Sequence, residues 1–77
     1  MKHNPYTHSD GTIITALQNN LYMIKGGITA NQEKVYQYDP HTNSVLNMED
    51  SNGVCISPIE KSLVENYITE FHIKNNW

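Results

Sequence analysis

The stretch Ser57-Pro58-Ile59-Glu60 opens the segment that most constrains how this chain can fold. A serine that can cap the first turn, a proline suited to the first helical position and a glutamate three residues after the serine together predict a helix N-terminus with a capping box. The helix runs from about Pro58 to Lys74. Ile59, Leu63, Val64, Tyr67, Ile68 and Phe71 recur at three- and four-residue spacing, and Lys61, Ser62, Glu65, Asn66, Thr69 and Glu70 take the opposite face. Lys74 suits the helix dipole and Asn75-Asn76 a stop. Such a helix must lay its apolar face on something the preceding residues supply.

Those residues read as strands. Lys34-Val35-Tyr36-Gln37-Tyr38 and Ser44-Val45-Leu46-Asn47-Met48 flank a turn-forming loop, Asp39-Pro40-His41-Thr42-Asn43, and so predict a hairpin. Leu21-Tyr22-Met23-Ile24-Lys25 is a further strand closed by Gly26-Gly27. Val54-Cys55-Ile56 reads as a short strand leading into the helix. Thr12 to Asn20 fits two periods. As a strand it is dense in β-branched residues, with Asn19-Asn20 as the turn; as a helix, Ile13, Ile14, Leu17, Leu21 and Ile24 share a stripe. The β-branched density favours the strand. The first eleven residues, polar and broken by Pro5 and Gly11, read as a flexible arm with no part in the core. The expected fold is therefore α+β: one domain over residues 12–77, with a small antiparallel sheet of three to five strands packed against one C-terminal helix. With 77 residues there is room for a single core of modest stability, which makes a partner or an oligomer a natural completion.

Composition narrows the function. No apolar run approaches the ~20 residues that a bilayer span requires, the first residues lack the apolar core of a secretory signal, and a lone Cys55 cannot pair within the chain. A cytoplasmic protein without membrane attachment is the expectation. All five basic residues are lysine against eight carboxylates, net charge −3, which argues against direct nucleic-acid binding. Ten asparagines, eight isoleucines and five tyrosines fit an AT-rich coding sequence such as a phage or mobile element carries.

Catalytic, cofactor and metal motifs are not found. His3, His8, His41, His72 and Cys55 lack the paired spacing of a zinc site and read as exposed histidines and a small apolar cysteine. Glu60 reads as a cap, Glu65 and Glu70 as solvated, and Asp10, Asp39, Glu49 and Asp50 as turn formers. Gly26-Gly27 is not a phosphate loop, because it lacks the G-x4-G-K-[ST] pattern. No enzyme and no cofactor is expected. The aromatic residues carry the alternative. Tyr36 and Tyr38 share one sheet face, so either that face is open and, with Tyr22 and the terminal Trp77, forms a partner-binding patch, or it packs under the helix. The reading from residues is a small binding or inhibitor protein acting stoichiometrically on a protein partner, with a self-pairing structural subunit as the alternative.

Two resemblances accompany this reading. Asn20 to Met48, with Leu21-Tyr22-Met23-Ile24, Gly26-Gly27, Val35-Tyr36-Gln37-Tyr38-Asp39-Pro40 and Thr42-Asn43-Ser44-Val45, looks like one kelch repeat. A propeller needs radial repetition and no second copy is present, so this is convergent hairpin chemistry. From about Gly11 to Trp77, the order of an apolar segment, a Gly-ended strand, a hairpin, Val54-Cys55-Ile56-Ser57 and then Ser62-Leu63-Val64-Glu65-Asn66-Tyr67-Ile68-Thr69-Glu70-Phe71 is similar to small phage-encoded anti-CRISPR inhibitors of Cas9. That resemblance implies an α+β fold that blocks the nuclease by occupying a DNA-binding surface.

Overall fold

A computed structural model describes residues 5–46, 49 and 53–75 of the chain. Five antiparallel strands follow one another across a single sheet in sequence order: β1 (Tyr6–Thr7), β2 (Ile13–Ala16), β3 (Leu21–Lys25), β4 (Lys34–Asp39) and β5 (Ser44–Val45). The helix α1 (Pro58–Lys74) closes one side of it. This is the α+β arrangement expected from the pattern of elements, and α1 has the expected bounds. Ser57 Oγ accepts from the Glu60 N–H at 3.0 Å, Pro58 sits in the first turn, and Asn75 ends the helix with its side chain donating to the Phe71 carbonyl.

The β2–β3 and β4–β5 hairpins are turned by residues that tolerate left-handed backbone. Asn19 and Asn20, at φ 59° and 62°, lie within the turn closed by the Leu21 N–H donating to the Gln18 carbonyl, and Asn43 at φ 54° closes the β4–β5 loop. Asparagine accepts this conformation because its short polar side chain bonds locally. The β-branched run after Thr12 is strand, as its composition favours, and registers Ile14 against Ile24 and Ala16 against Tyr22. Gly26, just past β3, is buried where the backbone passes so close to Thr12 that no side chain fits.

Three expectations are corrected. The first eleven residues are not all outside the core, because Tyr6 and Thr7 pair with Ile14 and Ile13 and Tyr6 packs against the core. A two-residue strand carries no readable period, which is why the sequence hides it. Val54-Cys55-Ile56 forms no strand; Cys55 makes one isolated bridge to Glu49 and both Val54 and Cys55 are exposed. Ile59, assigned to the apolar stripe, is 74% exposed, since the apolar contacts of α1 with the core begin at Leu63 and run along Val64, Tyr67, Ile68 and Phe71.

The core lies between α1 and one sheet face. Ile14, Tyr22, Ile24, Tyr36, Tyr38 and Val45 point into it from the strands, and Tyr22 stands edge-on to both Tyr38 and Phe71 at centroid separations of 5.6 and 5.9 Å. Alternation along each strand sends the intervening residues to the other side. That other face is covered by no described element.

Candidate functional site: the open face of the sheet

The strand parity decides what each face presents. Tyr22 and Tyr36 are register partners, Tyr38 follows two residues on, and all three are buried. Of the two alternatives for the tyrosines, packing under the helix is the one the structure shows, and the open partner-binding patch of Tyr22, Tyr36 and Tyr38 is corrected: they form the floor of the core, and Val35 and Gln37 face outward. The opposite parity would bury Gln37 and expose three aromatic rings, each of which removes roughly 150 to 250 Å² from water when buried. Trp77 lies outside the described residues.

Burial of so many phenols requires partners for their hydroxyls, and all five tyrosines have one. Tyr36 donates to Glu60 Oε2 at 2.7 Å, Tyr67 to Asp10 Oδ2 at 2.6 Å, Tyr6 to Glu70 Oε2 at 3.2 Å and Tyr38 to Asn43 Oδ1 at 3.0 Å, while the Tyr22 hydroxyl is 2.6 Å from His72 Nε2. Glu65 accepts the Val45 N–H at 2.7 Å. The carboxylates at 60, 65 and 70 are thus tethers from helix to sheet rather than a capping-box arm and two solvated groups. Burial, with Tyr38 alongside, pushes the Tyr22 phenol up to about 12, so it stays protonated at neutral pH. Tyr6 is raised as well, by burial and by Glu70.

Two histidines, His8 and His72, are drawn into this network, against the expectation of exposed histidines. His8 Nδ1 lies 3.3 Å from Asp10 Oδ1, its Nε2 3.9 Å from Glu70 Oε2, and its ring stands edge-on to Tyr67 at 5.0 Å, beside a cleft of about 440 Å³. Bonds from Tyr67 and from the Thr12 N–H and hydroxyl hold the Asp10 carboxyl well below the usual carboxylate range. Through its bond from Tyr67, Asp10 fastens the β1–β2 turn to α1. His72 is half-buried against Tyr22, His41 sits exposed in the β4–β5 turn, and Cys55 is exposed. Among the described residues, no three metal-ligating side chains converge, and no helix is long and apolar enough to cross a membrane.

The outward face has a different chemistry. From the register, Thr15, Met23 and Val35 form one row across β2, β3 and β4. Leu17, Leu21, Gln37 and Leu46 form the next, with the Leu17 N–H donating to the Leu21 carbonyl and the Leu46 N–H to the Gln37 carbonyl. Ile13 stands beyond Thr15, opposite Lys25. Ile13, Leu17 and Leu46 are 40, 41 and 50% exposed, and Leu21, Met23 and Val35 are half-buried. Between Pro5, Thr15, Leu17 and Leu21 the face sinks into a shallow groove of about 660 Å³. No residue of these rows is charged. Lys25 bounds the band on the Ile13 side and Asp39 on the Gln37 side. Sequence reasoning had the strands but not their parity, and so missed this band; the signal available was that Gln37 accompanies Val35 on one face while tyrosines take the other. No family model, curated protein or solved structure matches the chain.

Proposed function

We propose that this protein acts without catalysis, as a small stoichiometric binding or inhibitor protein that holds a protein partner on the open face of its sheet. The observation that carries the reading is the uncharged apolar band through Ile13, Leu17, Leu21, Met23, Val35 and Leu46, which no described element covers while the tyrosines are buried on the other face. Contiguous exposed apolar surface on a small domain is a mark of an interaction site. The sequence resemblance names a Cas9-type nuclease as one partner to try. Four of the acidic side chains that DNA mimicry would need, Asp10, Glu60, Glu65 and Glu70, are engaged in tethering α1, so the apolar band and not a charged surface would make that contact.

A photoreactive residue placed at Leu17, compared with one at Ile59 on the exposed flank of α1, tests the reading in cells that make the protein. A discrete protein adduct from position 17 and none from position 59 is expected. Adducts of equal yield from both, or none from position 17, would overturn it. Adducts of the chain with itself, matched by a dimer in sedimentation, would replace it with the self-pairing subunit.

A further inference from the structure

We infer that β1 is a hinged strap, pinned to α1 at the Asp10 turn and latched less firmly at Tyr6, which lifts from its Tyr6 end and uncovers the edge of β2 while the rest of the sheet and the helix stay folded. Pro5 lines the groove on the open face, so the strap sets one wall of the proposed binding surface. The motion itself stands whether or not a partner binds there.

The backbone attachment is small. β1 pairs with β2 over Tyr6 and Thr7, and its links to α1 are made by side chains. The His8 N–H donates to the Thr12 carbonyl at 2.7 Å, so these two residues are a hydrogen-bonded pair, and the alternation of an antiparallel ladder makes Tyr6 and Ile14 the next. On the other side of β2, the Leu17 N–H donating to the Leu21 carbonyl fixes Thr15 and Met23 as a bonded pair with β3 by the same alternation. Adjacent amides of β2 therefore report on different strands. The Ile14 N–H is covered by β1 and the Thr15 N–H by β3.

The two ends of the strap are held unequally. At the turn, the Asp10 carboxylate accepts the Tyr67 hydroxyl at 2.6 Å and the Thr12 N–H at 2.9 Å, and Gly11, at φ 93°, donates its N–H to the His8 carbonyl. At the other end, Tyr6 donates to Glu70 Oε2 at 3.2 Å, long for a hydroxyl on a carboxylate, and His8 Nε2 stands 3.9 Å from the same oxygen. One half-buried carboxylate oxygen thus latches both side chains. Tyr6 is itself half-buried, whereas Ile14 opposite it is fully buried. A segment tied by so few bonds opens locally, at a lower cost than unfolding the domain, and here it opens from the end with the longer bonds.

Native-state amide exchange, followed by NMR on the intact chain, tests the strap. After correction for intrinsic rates, the Ile14 N–H should exchange at least about tenfold faster than the Thr15 N–H, with the His8 N–H between them. Tyr6→Phe, which removes the hydroxyl and keeps the ring, and Glu70→Ala should each speed Ile14 by about threefold or more and leave Thr15 within about twofold. Asp10→Ala, which frees the pivot, should speed His8 and Ile14 together. Equal protection of Ile14 and Thr15 would overturn the inference, since β1 would then open only with the whole sheet. So would a His8 N–H less protected than that of Ile14, which would put the opening at the turn, or acceleration of Ile14 and Thr15 by one common factor in Tyr6→Phe. The same spectra show whether each variant is folded.

Discussion

Replacing Gly26 by alanine, with Gly27→Ala beside it as the control, isolates the contact that sets the β2–β3 register beneath the open face. A Cβ built on Gly26 would lie 2.5 Å from Thr12 Oγ1 and 2.9 Å from both Thr12 Cα and Cβ, whereas one on Gly27 meets nothing within 4 Å. Gly26 itself is extended, at φ 174°, so alanine there carries no backbone penalty and the whole cost is steric. Overpacking of this kind costs about 1 to 3 kcal/mol. A chain of 77 residues has about 4 to 12 kcal/mol in total. At roughly 4 to 8 °C per kcal/mol, Gly26→Ala should lower Tm by about 4 to 24 °C. Gly27→Ala should be neutral or raise stability by under about 1 kcal/mol, through the unfolded chain. Thr12→Ser should not rescue Gly26→Ala, because one of the close atoms is backbone Cα and trimming a methyl leaves it in place. Thermal and urea unfolding followed by far-ultraviolet circular dichroism measure all four proteins. Equal midpoints for Gly26→Ala and Gly27→Ala, or full rescue by Thr12→Ser, would refute the reasoning.

Other perturbations separate the two faces. Phe71→Ala, at a fully buried position of α1, should cost about 3 to 5 kcal/mol, enough to leave much of the chain unfolded at 37 °C by the same measurement. Ile13→Lys and Leu17→Lys, on the outer face, should move the urea midpoint by no more than about 0.5 kcal/mol equivalent while abolishing partner capture. Asp10 is ionised more readily in the folded chain than in the unfolded one, so its contribution is complete above about pH 5 and is lost as pH falls below about 4 toward its lower folded value. Asp10→Asn should flatten the decline of the urea midpoint between pH 4 and pH 2, and an unchanged slope would show that Tyr67 and Thr12 do not hold the carboxylate. Affinity for the partner should change less than about threefold between 50 and 200 mM salt, where a DNA-mimicking contact would fall by orders of magnitude.

What the sequence discloses about this molecule divides along the range of the interactions involved. The bounds of α1 and of β3 are legible because caps, proline and glycine act within a few residues of the backbone they punctuate. The strand character of Ile13–Ala16 is legible for the same reason, from β-branched density. The face on which Tyr36 lies is not, because parity depends on α1 more than twenty residues away. Nor are the roles of Glu60, Glu65 and Glu70. Read along the helix they are exposed carboxylates, and only the fold brings them to Tyr36, to the backbone of β5 and to Tyr6, a residue sixty-four positions distant. β1 escapes notice because two residues cannot display a period, and its attachment is supplied largely by Tyr6, His8 and Asp10 meeting α1.

That attachment explains why the two faces of one sheet have become so different. Five tyrosines give the core large aromatic area from few residues, but each brings a hydroxyl that must be satisfied at the core's edge. The helix and the N-terminal turn satisfy three of them with carboxylates, and in doing so gather charge on the helical side of the molecule. The outer face needs no such partners, since its side chains are aliphatic, threonine or amide, and it therefore carries almost no charge. An approaching macromolecule meets little long-range attraction there, so association depends on shape and on apolar area removed from water. For the proposed partner, differences in affinity on such a surface would act through dissociation rate and would turn on the fit of Leu17, Leu21, Met23, Val35 and Leu46 rather than on overall charge.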